Sequence, residues 1–145
     1  MIPVRALLAA AALAALALPR AASAHLALGL GADYLLDPES GELQLTLAAE
    51  TRLAKHVTLG ARFGVMYLAD PDRVGVPIDG RLRIRGGSFY VDGLVGPWLV
   101  FDSGDTVRLH AAFGFGLLTR ALSFGLEVGW MDPTSMVGVR VAFPL

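Results

Sequence analysis

The run Thr106-Val107-Arg108-Leu109-His110-Ala111-Ala112-Phe113-Gly114-Phe115-Gly116-Leu117 decides the reading of this chain. Val107, Leu109, Ala111, Phe113, Phe115 and Leu117 recur at every second position, and successive side chains of a β-strand point to opposite faces. One face of such a strand is continuously apolar, while the other carries Arg108, His110 and small residues. The same alternation runs from Leu26 to Phe143, so the chain is read as all-β.

The chain has 145 residues, 54% of them hydrophobic, and no cysteine. Its first 24 residues read as a signal peptide: Arg5 supplies the positive region, Ala6 to Leu18 the apolar stretch, and Ala22-Ser23-Ala24 the small-residue cleavage pattern. An uncleaved helical anchor needs about 20 apolar residues, and Pro19-Arg20 ends this one early. Cleavage leaves residues 25–145 as one domain beginning at His25. It removes Arg5 and Arg20 but no acid, taking the net charge from −1 to −3, which speaks against a nucleic-acid partner. Without disulfides, stability must come from packing and strand pairing. After the signal no apolar run is long enough for a spanning helix. This hydrophobicity then belongs either to a soluble β-protein with a large core or to a closed barrel facing lipid.

Alternation bounded by turn residues gives strands Leu26 to Leu36, Glu42 to Leu53 and Val57 to Leu68, and later Thr106 to Leu117, Leu122 to Trp130 and Val137 to Phe143. Ala69 to Gly80, with Asp70-Pro71-Asp72 and Val76-Pro77, reads as a long loop. Arg81 to Phe101 is harder. As one strand it makes seven, and bacterial single-chain outer-membrane barrels use even numbers. Asp92-Gly93 is a hairpin signal, and splitting there into Arg81 to Val91 and Leu94 to Phe101 makes eight. Leu82 and Ile84 are then out of phase with Phe89 and Val91, which calls for a bulge at Gly86-Gly87; Gly86-Gly87 is also the alternative turn. With the N-terminus periplasmic, the outer loops are Asp37 to Gly41, Ala69 to Gly80, Asp102 to Asp105 and Met131 to Ser135, longer than the inner turns, as such barrels require. Tyr34, Tyr67, Phe101 and Trp130 fall near outer strand ends, where an aromatic girdle belongs.

The polar face decides which way the strands point. A solvated sheet carries Lys, Glu and Thr densely, but Lys55 is the only lysine, and the polar positions are mostly Gly and Ala around isolated charges. Arg62 lies between Gly60 and Gly64, Glu127 between Gly125 and Gly129, Arg140 two residues after Gly138 and Asp33 two after Gly31. An eight-stranded barrel has an interior just wide enough for side chains to fill, and glycines beside each charge make room in it. The expected lumen cluster is Asp33, Glu50, Arg62, Arg108, His110, Glu127 and Arg140, with Asp92 provisional at the turn. Turning Arg62, Arg108 and Arg140 to lipid would cost about 2 to 4 kcal/mol each at the midplane; inside, they can pair with Asp33, Glu50 and Glu127.

Catalytic patterns are scarce. There is no Gly-x-Ser-x-Gly, no paired histidines at metal spacing and no phosphate-cradling loop, so no catalytic, cofactor or metal site is expected. His25 is N-terminal after cleavage and His56 lies in an inner turn, which leaves His110 with Arg108 two residues away and no serine beside it. Asp37, Glu39, Asp70, Asp72, Asp79, Asp102, Asp105 and Asp132 fall in outer loops, where solvated turn acids are common. Arg73, Arg81, Arg83 and Arg85 read either as contacts to lipid phosphates or, for the last three, as one face of a strand.

Taken together, these features resemble the small outer-membrane β-barrels of Gram-negative bacteria, of the OmpA transmembrane-domain and OmpX type. The last strand is similar to their C-terminal assembly signal: Gly138, then apolar Val141 three residues on, then aromatic Phe143 two further, although here Pro144-Leu145 follow the aromatic residue. The resemblance implies an eight-stranded antiparallel up-and-down barrel in the outer membrane. It also implies contact with outer-membrane lipids and lipopolysaccharide, and biogenesis through the barrel-assembly machinery. The expected protein is a monomeric, non-enzymatic barrel with a packed, charged lumen, serving envelope structure or surface interaction. The alternatives are a periplasmic lipocalin-like barrel holding an apolar ligand and a lipid A-modifying enzyme.

Overall fold

The computed structural model describes residues 24–145; the signal-peptide assignment lies outside the described residues. Eight antiparallel strands in sequence order close into a barrel: β1 (His25–Leu36), β2 (Glu39–Ala54), β3 (Val57–Leu68), β4 (Arg73–Gly86), β5 (Phe89–Val100), β6 (Val107–Leu118), β7 (Ser123–Met131) and β8 (Thr134–Pro144). Closure is made by β1 against β8, in a register running from Ala27 opposite Pro144 to Leu35 opposite Met136. Every strand therefore has two partners, and no sheet edge is left open.

The polarity is inverted relative to a soluble protein. Leu28, Leu43, Phe63, Leu82, Val95, Phe113, Leu126 and Val139, one from each strand, are all exposed on the outside. Asp33, Glu42, Glu50, Arg62, Asp79, Asp92, His110 and Glu127 are buried inside. Between the strand ends no charged side chain occupies an outward position. Tyr34, Tyr67, Phe101 and Trp130 are exposed on the outer wall at the end away from the chain termini, and Phe89 and Phe143 at the termini end.

The strand count agrees with expectation, but three details do not. The hairpin after β4 turns at Gly87-Ser88, with Gly86 opposite Phe89 and Gly87 at φ +63°; Asp92-Gly93 lies inside β5. No bulge is needed, because this register puts Ile84 opposite Val91 and Leu82 opposite Gly93, so the outward positions change phase through the turn itself. The irregularity that does occur is at the end of β2, between Arg52 and Ala54. Secondly, most of the stretch read as a loop from Ala69 to Gly80 is the first half of β4. Val74, Val76 and Ile78 keep the outward alternation there, and the pairing lapses only around Pro77, which has no N–H to give.

Thirdly, the connections are short at both ends. Asp37-Pro38, residues 69–72, residues 101–106 and Asp132-Pro133 join strands at the far end; Lys55-His56, Gly87-Ser88 and residues 119–122 do so at the termini end. The expected contrast in loop length is slight, since residues read as loop continue the ladder.

Candidate functional site: the filled lumen

The interior is built in three layers along the barrel axis. At the far end Leu35, Met66, Leu68, Trp98, Val100, Met131 and Met136 form a buried apolar plug. Each comes from the far end of its strand, where the inward position has switched from polar to apolar.

The middle layer is a network of ion pairs centred on Arg62. Its Nε and Nη2 donate to Asp79 Oδ2 at 3.1 and 2.7 Å, and its Nη1 and Nη2 donate to Glu127 at 2.8 and 3.2 Å. The other Asp79 oxygen, Oδ1, accepts from Trp98 Nε1 at 3.0 Å and lies 2.7 Å from His110 Nδ1. A carboxylate only accepts, so His110 carries its proton on Nδ1. The Trp98 and His110 rings stack with centroids 4.0 Å apart. Arg140 Nη2 bridges Asp33 at 2.8 Å and Glu127 at 2.9 Å. Gln44 Nε2 donates to Asp33 at 3.0 Å and to Glu42 at 2.5 Å.

The third layer, towards the termini, is dominated by arginine. Arg83 grips Asp92 through Nε and Nη2 at 2.6 and 2.7 Å and lies over the Tyr90 ring at 4.0 Å. Glu50 is shared by Arg81, Arg83 at 3.8 Å and Arg85 at 3.0 Å, and accepts from Thr58 at 3.2 Å.

Of the expected cluster, Arg62, Glu127, Arg140, Asp33 and His110 meet in the middle layer. Glu50 lies apart, with Arg81, Arg83 and Arg85; of the two readings of these arginines the strand face holds, and Arg81 and Arg83 are buried in the lumen. Arg108 points inward beside Trp98, half-buried, and makes no ion pair among the described residues. Asp79, assigned to an outer loop, is a central acceptor of the network. Glu42, Gln44 and Trp98 complete the set that the sequence reading left out. The signal for Asp79 was its place in phase with Arg81, Arg83 and Arg85, masked by Pro77.

The glycines work across strands rather than along them. Gly31 is opposite Arg140 and Gly138 is opposite Asp33. A Cβ on Gly31 would lie 2.8 Å from Arg140 Nη1, and one on Gly138 would overlap the Asp33 carboxylate. Arg140 and Asp33 thus each lie over a glycine of the neighbouring strand.

This packing leaves a central cavity of about 30 Å³, enough for about one or two waters. Apolar-ligand pockets span roughly 300 Å³ or more, so the lipocalin-like reading has no room in the middle of this barrel. His110 is wholly buried and its ring is engaged by Asp79 and Trp98, which puts it out of reach of a lipid ester outside.

The fold is shared with solved transmembrane barrels. A de novo designed transmembrane β-barrel superposes with a TM-score of 0.66 at 14% identity, over 83% of this chain and 95% of that one. The outer membrane enzyme PagL gives 0.60 at 12% identity, over 83% and 98%. The Yersinia pestis outer membrane protein Ail, solved in a phospholipid bilayer nanodisc, gives 0.51 at 12%, over 85% and 100%. At such identities the likeness establishes the fold. The sequence matches no protein-family model and no curated protein.

Proposed function

We propose that this chain is a non-enzymatic integral outer-membrane protein that contributes to envelope structure, exported through a cleaved signal peptide and inserted with its termini towards the periplasm. The observation that carries the reading is the inverted polarity. A continuous apolar outer wall over a buried ion-pair network fits a bilayer, where closed barrels satisfy every backbone group internally, and would be an aggregation hazard in water. The short far-end connections offer little surface for a macromolecular partner, which favours a structural role over surface recognition. In this placement the outer wall contacts lipid and lipopolysaccharide, Gly138, Val141 and Phe143 serve the assembly machinery, and the barrel acts as a monomer.

Membrane fractionation with a heat-modifiability gel tests the placement. The protein is expected in the detergent-extracted outer-membrane fraction, with a mobility shift on boiling. Extraction without detergent and no shift would overturn it. Lipid A mass spectra unchanged by overexpression are expected of a non-enzymatic barrel; a deacylated or newly acylated species would replace that assignment with an enzymatic one.

A further inference from the structure

The termini end of the lumen opens into a vestibule of about 240 Å³, eight times the central cavity. Arg52, Arg81, Arg83 and Arg85 line it against the single carboxylate of Glu50. Asp92, deeper in, is gripped by Arg83. Four guanidiniums thus face two carboxylates, and two positive charges are left over. The rim adds to the excess, because Lys55 and Arg120 lie in the connections at this end, where no acidic side chain is exposed among the described residues. By contrast the middle layer sets Asp33, Glu42, Asp79 and Glu127 against Arg62 and Arg140.

Glu50 cannot satisfy three arginines. The Nε groups of Arg81 and Arg85 are buried without a hydrogen-bond partner, and Arg81 is only 6% exposed. A guanidinium has five N–H donors and no acceptor; the Nε groups of Arg108 and Arg140 are unpartnered too, but only those of Arg81 and Arg85 line a space large enough to admit an acceptor from outside the chain. Clustered like charges with low solvent access also repel, and an uncompensated buried charge is costly.

We propose that this vestibule binds a phosphate-class oxyanion, inorganic phosphate or a phosphate monoester or diester headgroup, held by Arg81 and Arg85 with Arg52 at the mouth. A doubly charged tetrahedral anion matches the two excess charges, and guanidinium forks donate to phosphate oxygens in pairs. The cavity has room for the anion and a small attached group or waters. The site adds a ligand to a barrel otherwise assigned only a structural role.

The test uses the full barrel refolded in a maltoside detergent free of phosphate. Its heat-modifiability midpoint is followed against inorganic phosphate, with sodium chloride at matched ionic strength as the reference. A saturable rise above the chloride curve is expected. Arg85→Gln, at the partly exposed rim, should bind phosphate about tenfold more weakly, as expected for one lost charge-assisted contact. Arg81→Gln should lose the response while still folding, with a midpoint in phosphate-free buffer no lower than that of the parent, because it removes an excess charge. No phosphate response beyond chloride in the parent protein, or a response in both variants equal to the parent's, would overturn the site. Phosphatidylglycerol vesicles then separate the sources. If added phosphate still raises the midpoint, a soluble phosphate is bound. If it does not, and a motionally restricted lipid phosphorus signal is present in the parent and absent in Arg85→Gln, the phosphate is a lipid headgroup. With neither signature in vesicles, the site is not one that operates in a membrane and the proposal falls.

Discussion

Arg62 on β3 and Glu127 on β7 meet in the middle of the lumen, with hydrogen bonds of 2.8 and 3.2 Å, although their strands lie on diametrically opposite walls of the closed eight-stranded sheet. A single arginine therefore spans the bore at that level. The same guanidinium binds Asp79 on β4, and Glu127 in turn takes Arg140 on β8. Four strands are tied across the interior by one cluster, which gives a narrow barrel a fixed cross-section.

Removing one member of a buried ion-pair cluster is worse than never having had it, because the partner charges are left desolvated. Arg62, with its side chain 4% exposed, leaves both Asp79 and Glu127 short of a partner when it is replaced. Arg62→Ala is expected to destabilise the folded barrel by about 3 to 5 kcal/mol, read as a fall in the urea midpoint of the heat-modifiable form. A change below about 1 kcal/mol would show that the cross-lumen pair carries little, as exposed pairs do.

Two glycines of β5 offer a matched comparison. A Cβ on Gly96 would overlap the carbonyl oxygen of Ile78 on β4, whereas one on Gly93 meets nothing within 4 Å. Gly96→Ala should cost about 1 to 3 kcal/mol as an overpacked site. Gly93→Ala, on the outward face, should be neutral or stabilising by a few tenths of a kcal/mol, through the stiffer unfolded chain. Equal urea midpoints for the two variants would contradict the register between β4 and β5.

The position of the fourth hairpin is open to insertion. Four residues of Gly-Ser placed between Gly87 and Ser88 lengthen an exposed turn and should leave a heat-modifiable barrel. The same insert between Asp92 and Gly93 interrupts β5 where Asp92 is held by Arg83, and should abolish folding. The reverse result would restore the turn at Asp92-Gly93.

The bore is filled at two levels, by the charged strut and by the apolar plug of Leu35, Met66, Trp98, Met131 and Met136. Planar-bilayer recordings of the purified barrel are expected to stay at background, and those of Arg62→Ala as well, since the plug remains. Discrete conductance steps in the parent protein would mean that the interior is not filled.

How far the chain could be read from its residues depends on where alternation was interrupted. β1, β3 and β6 carry uninterrupted period-2 patterns, and their faces were legible from them. Arg62, Glu127, Arg140 and Asp33 could be placed in the lumen because each stands near glycines, though the glycines accommodate side chains of the adjacent strand. Register across strands is not written in one strand's pattern, so the partners of Glu50 were not legible. β4 was obscured by Pro77 and by Asp70, Asp72 and Asp79, residue types that normally mark loops; only the pairing across strands brings Asp79 to Arg62 directly opposite on β3, to Trp98 on β5 and to His110 on β6. The turn at Gly87 was one of two glycine-containing signals, and pairing of Ile84 with Val91 selects it.

The most direct test of the central claim, an apolar outer wall facing lipid over a filled interior, compares the two tryptophans. Trp130 lies on the outer wall, 38% exposed, and Trp98 is wholly buried inside. In vesicles of lipids with brominated acyl chains the parent protein is expected to lose part of its tryptophan emission. Trp130→Phe, which retains only Trp98, is expected to be quenched neither by the brominated chains nor by aqueous acrylamide. Quenching of Trp98 from the lipid side, or no lipid quenching in the parent protein, would contradict the assignment of the outer wall to the bilayer.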